Sequence, residues 1–374
     1  MHIVHLISNL RFGGAQKIAV GLAEESRNRG HRVSIVTISS GNDYSRRLTA
    51  AGVEYRSLDY ERRLSFANLF HIAGLRKRLL QNISDLNPSV IHSHLFAPKI
   101  VLYGLRSVAG CPVVETQHDN PPWWRMDDVN SRIRRHIDRV FLRRTASCTA
   151  AISKSVHEDL QRLFDHPPEA CPVIYNFIDQ PPHDLSEHFT SHLPPTVLMV
   201  TRLDIEKKGL DTAIKVFAGV RSRIPDAILE LVGDGPDAAK IKTLAKDYDI
   251  TGSVKYHGYQ EDVYQFFARA DVLLMPSRWE GFGVSAAEAG VSGVPVVAAR
   301  VGGLQEVVID GQTGFTCDSE DVDQMTDRVI RLLEDSDLRQ RMSDAAKTSS
   351  SNRFSVVSAF DQYERIYEKA RVAA

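Results

Sequence analysis

The chain has 374 residues, 43% hydrophobic and 25% charged, which is too long for one ordinary domain and fits a globular protein of two. No apolar run reaches the roughly 18–20 residues of a membrane span, and the four cysteines (Cys111, Cys148, Cys171, Cys317) lack C-x-x-C spacing, so neither a zinc site nor a disulfide framework is indicated. Net charge is −1, but residues 1–180 hold 24 basic and 17 acidic side chains (+7) and the remainder 22 and 30 (−8), so the two halves are expected to meet different partners.

Met1 to Ile7 carries no basic leader and reads directly as a strand, so a cytosolic protein is expected. After the strand Ile3 to Ile7 come a loop with Gly13 and Gly14, a helix Ala15 to Arg29 ended by Gly30, and a strand Arg32 to Ile38. This βαβ unit implies a parallel sheet. A G-x-G-x-x-G turn and an acidic residue after the second strand would mark a dinucleotide fold; neither is present, so a dehydrogenase is disfavoured. Alternation continues with a strand Glu54 to Leu58, a helix Phe66 to Gln81, a strand Ser89 to His92, a helix through Lys99 to Ala109 and a strand Pro112 to Thr116. Ligands bind beyond the carboxyl ends of such strands. His94 and His118 fall there, beside Asp119, Trp123 and Trp124.

Residues 131–144 set Ile133, Ile137, Val140 and Phe141 on one helical face, with arginines on the other. Such a helix suits either an anionic membrane surface or ordinary packing on its own domain. A strand Cys148 to Ile152, a helix Lys154 to Phe164 and a strand Pro172 to Asn176 complete the first half, and proline-rich residues 180–195 read as a linker. The second half starts afresh: strand Thr196 to Val200, loop Thr201 to Gly209, helix Leu210 to Ile224, strand Ala227 to Val232, a tight turn at Gly233, helix Ala238 to Tyr248 and strand Val254 to His257. Helices are expected over Val263 to Arg269, Val322 to Leu333, Ser336 to Lys347 and Val356 to Val372, with a Thr-Ser-Ser-Ser-Asn break before the last.

The most informative stretch follows the buried strand Asp271 to Met275. Gly281 and Gly283 bracket Phe282, allowing a sharp turn, and a helix starts near Val284. Free N–H groups at such a start suit an anion. Glu280 and Glu288 frame the turn; as carboxylates they would repel a phosphate and therefore address hydroxyls. Arg202 and Lys208, in the loop after the strand Thr196 to Val200, suit a diphosphate, arginine as a fork and lysine as a point charge. A sugar nucleotide has both chemistries.

Arg202-Leu-Asp-Ile-Glu-Lys-Lys-Gly209 followed by Glu280-Gly-Phe-Gly-x-x-x-x-Glu288 resembles the family 4 glycosyltransferases. The resemblance spans nearly the whole chain, through the Gly13-Gly14 loop, Val90-Ile-His-Ser-His94, Thr116-Gln-His118, Val173-Ile-Tyr-Asn176, Gly233-Asp-Gly235 and the final helix. It implies the retaining GT-B architecture: an α/β fold of two doubly wound Rossmann-like parallel-sheet domains facing a cleft. Residues 1–184 would bind the acceptor and 185–355 the nucleotide sugar, with the helix 356–374 crossing back to the first domain.

The resemblance also implies roles. Glu288 would hold ribose hydroxyls, Glu280 and the Gly281–Gly283 backbone the donor sugar, and the helix start at Val284 its phosphate. Arg202 and Lys208 would neutralise the leaving diphosphate, and His118 would touch the transferred sugar. Gly13, Gly14, Phe282, Gly233 and Tyr259 complete the donor set, with UDP-sugar the expected donor; His94, Asp119, Trp123 and Trp124 form the acceptor set. No cofactor or metal is implied. Two departures stand out: Phe177 replaces a frequent glycine, and the doubled Lys207-Lys208 leaves the phosphate lysine to be chosen, Lys208 being preferred because Gly209 follows.

The expected reaction is transfer to a glycan or lipid-linked saccharide in cell-surface polysaccharide or glycolipid assembly, at the inner face of the cytoplasmic membrane if the basic half touches anionic lipid. No nucleic-acid partner is expected. The alternatives are a soluble small acceptor, a GT-B nucleotide-sugar epimerase, and a silent binding module.

Overall fold

A computed structural model describes residues 1–61, 69–105, 108, 110–179, 181 and 194–372. It divides into two compact units, Met1–Phe177 with Val356–Ala374, and Ile178–Ser355. Most of the expected linker 180–195, and the start of the helix expected from Phe66, lie outside the described residues.

The first unit holds β1 (His2–Ile7), β2 (Arg32–Thr37), β3 (Glu54–Ser57), β4 (Val90–His94), β5 (Val113–Gln117) and β6 (Ala146–Ala151) in the order β3-β2-β1-β4-β5-β6. All neighbours run parallel, so each crossover needs a helix and both faces are covered. On one face, Val4, Leu6, Ile91 and Val113 pack under the helix Leu69–Leu86 through Leu75, Leu79 and Ile83. On the other, Ile3, Val90 and Val114 meet the helix Gly14–Asn28 through Ile18 and Leu22, and the helix Val356–Val372 through Phe360, Tyr363 and Tyr367.

The second unit repeats the plan with β7 (Thr196–Val200), β8 (Ile228–Val232), β9 (Val254–Gly258), β10 (Val272–Met275), β11 (Val296–Ala299) and β12 (Gly314–Cys317), ordered β12-β11-β10-β7-β8-β9. In each sheet the order reverses between two central strands, β1 and β4 in one and β7 and β10 in the other. Beyond the carboxyl ends at such a point the connecting loops diverge and leave a crevice.

Four expectations are corrected. Residues 172–176 make no strand: β6 ends at Ala151, the one residue that bridges to Val173, so the ladder has nowhere to extend. β12 was not anticipated, being only four residues with glycine first. The Thr348–Asn352 break does not occur, since the helix Ser336–Arg353 runs through it. In the helix Val129–Arg144 the buried face is Ile137, Asp138, Phe141 and Leu142, while Ile133 faces solvent; Asp138 turns inward because it binds buried partners described below.

The Phe177 departure has a local cause. Its ring lies against Gly21, where an added Cβ would sit 2.5 Å from the Phe177 Cε2.

Candidate active site

The loops after β7 and β10, the two switch-point strands of the second unit, bring Arg202, Lys208 and Glu280 into one region. Asp204 caps the short helix Ile205–Lys208 by accepting from the Lys207 N–H at 3.0 Å, and Gly209 closes it at φ 62°. That glycine is required twice over, because a Cβ would lie 2.1 Å from the Pro276 carbonyl oxygen. Lys208 thus ends a rigid turn, and its Nζ donates to Glu280 Oε1 at 3.0 Å and Oε2 at 2.7 Å. Arg202 is exposed and makes no side-chain hydrogen bond or ion pair among the described residues.

The Gly233 turn braces this loop from below. Leu203 N–H donates to the Asp234 carbonyl at 3.0 Å, and Ile205 N–H to Asp237 Oδ2 at 3.0 Å. A Cβ on Gly233, at φ 135°, would lie 1.9 Å from the Thr201 carbonyl oxygen. Arg278 ties the two loops together: its guanidinium donates to the Ile205 carbonyl at 2.7 Å, Asp211 at 2.8 Å and Glu320 at 2.8 Å. Nothing in the sequence marks it, since an arginine just before Trp279 has no spacing that identifies a brace.

Glu280 is followed by buried Gly281 and Phe282, whose ring meets Phe354 edge-on at 5.2 Å. Gly283, at φ 97°, precedes the helix Val284–Val291. Val284 and Ser285 N–H groups precede the first that bonds within the helix, Ala286 N–H to the Gly283 carbonyl at 3.0 Å, and are oriented for an anion. Glu288, one turn into that helix, is buried at 5% exposure. The loop after β11 seals the turn: Gly303 N–H donates to the Glu280 carbonyl at 3.1 Å, an approach that leaves no room for a side chain at Gly302 or Gly303. Tyr259 is exposed and follows Gly258, whose carbonyl accepts from Gly233 N–H at 2.7 Å.

In the first unit Gly13 is extended at φ 175°, a conformation open to any residue, and both Gly13 and Gly14 are exposed. His94 ends β4 and His118 follows β5; the pleat puts them on one face with His5 of β1 and His92 of β4. His5 Nδ1 and His94 Nε2 are 3.0 Å apart, and His94 Nδ1 and His118 Nε2 2.9 Å. His92 bonds Tyr367 Oη and Thr116 Oγ1, both at 2.7 Å. Burial drives all four imidazoles toward the neutral form, His5 and His118 to about 3 and His92 and His94 well below the ordinary value. His5 and His92 lie inside apolar strands, which hides them in the sequence; the H-x-H spacing of His92 and His94 is the available signal.

Buried Lys99 lies on the opposite face, with Gln117 Oε1 at 2.7 Å, Asp138 Oδ1 at 3.2 Å and Glu115 Oε1 at 3.3 Å. Asp138 Oδ2 also accepts from Trp123 Nε1 at 3.1 Å and Trp124 Nε1 at 2.9 Å. Trp124 is therefore an interior residue, while Trp123 is half-buried beneath the Arg134 guanidinium, 4.9 Å from its ring. Asp119 is half-buried, and its carboxylate accepts from Asn120 N–H at 2.9 Å.

Two six-stranded parallel sheets, each with ligand-type loops at its reversal point, define the GT-B class of fold. The family described as "Glycosyl transferases group 1" matches residues 185–349, and "Glycosyltransferase Family 4" matches residues 12–180. The chain belongs to the family 4 glycosyltransferases and is a transferase of sugar from nucleotide sugars. It is 27% identical over 367 residues to N-acetyl-alpha-D-glucosaminyl L-malate synthase of Bacillus anthracis, covering 95% of this chain and 93% of that one. Sucrose-phosphate synthase from Thermosynechococcus elongatus shares the fold at TM-score 0.84, with 20% identity and 100% of both chains covered. Anabaena HepE in complex with UDP-glucose does so at TM-score 0.81, with 22% identity over 99% of this chain and 100% of that one. No helix among the described residues is long and apolar enough to cross a membrane.

Proposed function

We propose that the enzyme transfers a sugar, with retention and without a metal, from UDP-sugar to a glycan or lipid-linked saccharide. The observation that carries the reading is the Lys208–Glu280 contact at 2.7 Å, which brings a cation and a hydroxyl-binding carboxylate together beside the start of the helix Val284–Val291. Departure of a nucleoside diphosphate builds charge on its β-phosphate. Arg202, Lys208 and the Val284 N–H answer that charge with oriented positive groups. Glu288 takes ribose hydroxyls, and Glu280 orients the sugar. A Glu280 carboxylate engaged by Lys208 through both oxygens is better suited to positioning than to nucleophilic attack. Retention then follows from same-face attack, in which the leaving phosphate oxygen takes the acceptor's proton. His118 and the Gly13–Gly14 loop contribute from the first unit, with Asp119 and Trp123 toward the acceptor; His94, expected beside them, is fully buried with both ring nitrogens taken by His5 and His118 and does not reach an acceptor.

UDP as the base-bearing product is supported by the HepE complex, whose ligand is UDP-glucose. A thermal-shift screen of UDP, GDP, ADP and dTDP tests the donor, since a ligand of the folded state raises the melting temperature. NMR of the product made in EDTA tests the rest: an inverted anomer, or loss of activity with the chelator, overturns retention or metal independence respectively.

Peripheral membrane contact is supported by exposed Met126, Val129 and Ile133 beside Arg132 and Arg134 of the basic helix. Sedimentation with anionic liposomes is the measurement; equal partitioning onto neutral and anionic vesicles removes this part.

A further inference from the structure

We propose that His94, held in turn by His5, is a positioning residue that fixes the proton of His118 on Nδ1 and so makes that nitrogen a hydrogen-bond donor to the bound sugar. The ligand part of this statement rests on the donor reading above.

Three imidazoles stand in series through contacts of 3.0 and 2.9 Å. Burial keeps each neutral, so each carries one proton and offers one donor and one acceptor nitrogen. Under that condition both bonds can form only if all three protons point the same way along the chain. In the outward arrangement His5 Nδ1–H donates to His94 Nε2, His94 Nδ1–H donates to His118 Nε2, and the last proton lies on His118 Nδ1. In the inward arrangement that proton lies on His5 Nε2, and His118 Nδ1 is a bare acceptor.

Of the six nitrogens in this series of three imidazoles, the two at its ends, His5 Nε2 and His118 Nδ1, are buried without a hydrogen-bond partner among the described residues. Their surroundings differ. His5 is fully buried in a central strand, where an orphaned N–H is worse tolerated than an orphaned lone pair. His118 is half-buried just past the carboxyl end of β5, where a ligand can meet its proton. The outward arrangement therefore wins.

His92 stands beside the series and not in it. Tyr367 and Thr116 hold both its nitrogens, and its ring lies 4.1 Å from that of His94, which fixes the plane of the middle imidazole. His5, His92 and His94 do present nitrogens within 4.8 Å of one another, the spacing of a metal site. Those of His5 and His94, however, face each other in a hydrogen bond, and those of His92 face hydroxyls, which is the geometry of a proton-ordered chain.

The test is a long-range proton–nitrogen correlation spectrum of the full chain with ¹⁵N-labelled histidines at neutral pH, His118 being assigned by its loss in His118→Gln. The expected result is a pyrrole-type Nδ1 and a pyridine-type Nε2 for His118. The opposite tautomer overturns the proposal, and this measurement needs no variant of the chain's inner members. For the role of His94, His94→Phe breaks the series, whereas the amide of His94→Asn can still donate to His118 Nε2. His94→Phe is expected to lose the His118 tautomer and about tenfold in kcat, with UDP affinity kept within about twofold, and His94→Asn to recover most of both. Wild-type tautomer and kcat in His94→Phe, or no recovery in His94→Asn, overturns it. If the wild type turns over no nucleotide sugar, the donor reading fails while the spectrum still decides the polarity of the chain.

Discussion

Lys208 and Glu280 neutralise each other between the two loops that also present Arg202 and the Val284 helix start. A diphosphate drawing on Lys208 must compete with Glu280 for the same ammonium. Glu280→Gln keeps the shape and removes the competing charge. Part of a charge-assisted hydrogen bond of about 1.5–3 kcal/mol is then released toward phosphate, so UDP affinity is expected to rise about threefold to tenfold. Turnover is expected to fall about tenfold, because the amide orients the sugar hydroxyls less strongly. Titration calorimetry with UDP and initial rates give the two numbers separately. UDP affinity equal to wild type would mean that Lys208 does not meet the phosphates, and near-normal turnover would remove Glu280 from the mechanism. Arg202→Ala is the complementary case: it is exposed and unpaired among the described residues, so stability should stay within about 0.5 kcal/mol while the donor KM rises.

Among the elements, the helix Ser336–Arg353 shows what was legible and what was not. Its Thr-Ser-Ser-Ser segment lacks apolar spacing and reads as a break, yet Thr348 Oγ1 donates to the Asp344 carbonyl at 2.9 Å on the solvent side, and Ser350 faces Gly290. A Cβ on Gly290 would lie 2.1 Å from Ser350 Oγ, so small residues on both helices permit a close crossing beneath the donor turn. Composition reports only that these residues are poor helix formers; the partner that makes them necessary is some 60 positions away in the sequence. Gly290→Val should therefore cost about 1–3 kcal/mol by overpacking and should weaken UDP binding, because Glu288 lies in the displaced helix. Thr348→Ala, on the exposed side, should change stability by less than about 0.5 kcal/mol. Denaturant titration of both variants checks the contrast, and equal effects would refute the close-crossing account. The alternating strands and helices, by contrast, were readable apart from β12 and residues 172–176, since parallel strands buried on both faces give continuous apolar runs. The site was readable where glycine, charge and strand end coincide, as at Gly209 and Gly283. It was unreadable where a polar side chain is buried against another strand, as at His5, His92 and Asp138.

At the scale of the whole molecule, the first unit buries His5, His92, His94, His118 and Glu115, and their balance sets an acid limit on stability. His5 and His118 are pushed down to about 3 by burial, and His92 and His94 are lowered as well, against an ordinary value near 6.5. Below about pH 6.5 the unfolded chain binds protons at these positions and the folded one does not, so their contribution is complete above that pH and lost as pH falls toward 3. His5 and His118 each contribute a slope of about 1.4 kcal/mol per pH unit over that range, and His92 and His94 act in the same direction. Glu115 acts in the opposite direction: burial raises it to about 7 despite Lys99, so the folded form binds its proton first, and its contribution is lost as pH rises from about 4.5 to 7. One carboxyl offsets one imidazole, so the imidazoles outweigh it and stability falls on acidification between roughly pH 6 and 5. The melting temperature should accordingly fall below pH 6.5. Calorimetry at pH 5.5 in buffers of different ionisation heat should register a net uptake of protons on unfolding, to which His2 and His166, also lowered by burial, add. A melting temperature that holds or rises on acidification would mean that the imidazoles are charged in the folded protein. The one-proton-per-ring condition that orders the His5–His94–His118 chain would then be lost with it.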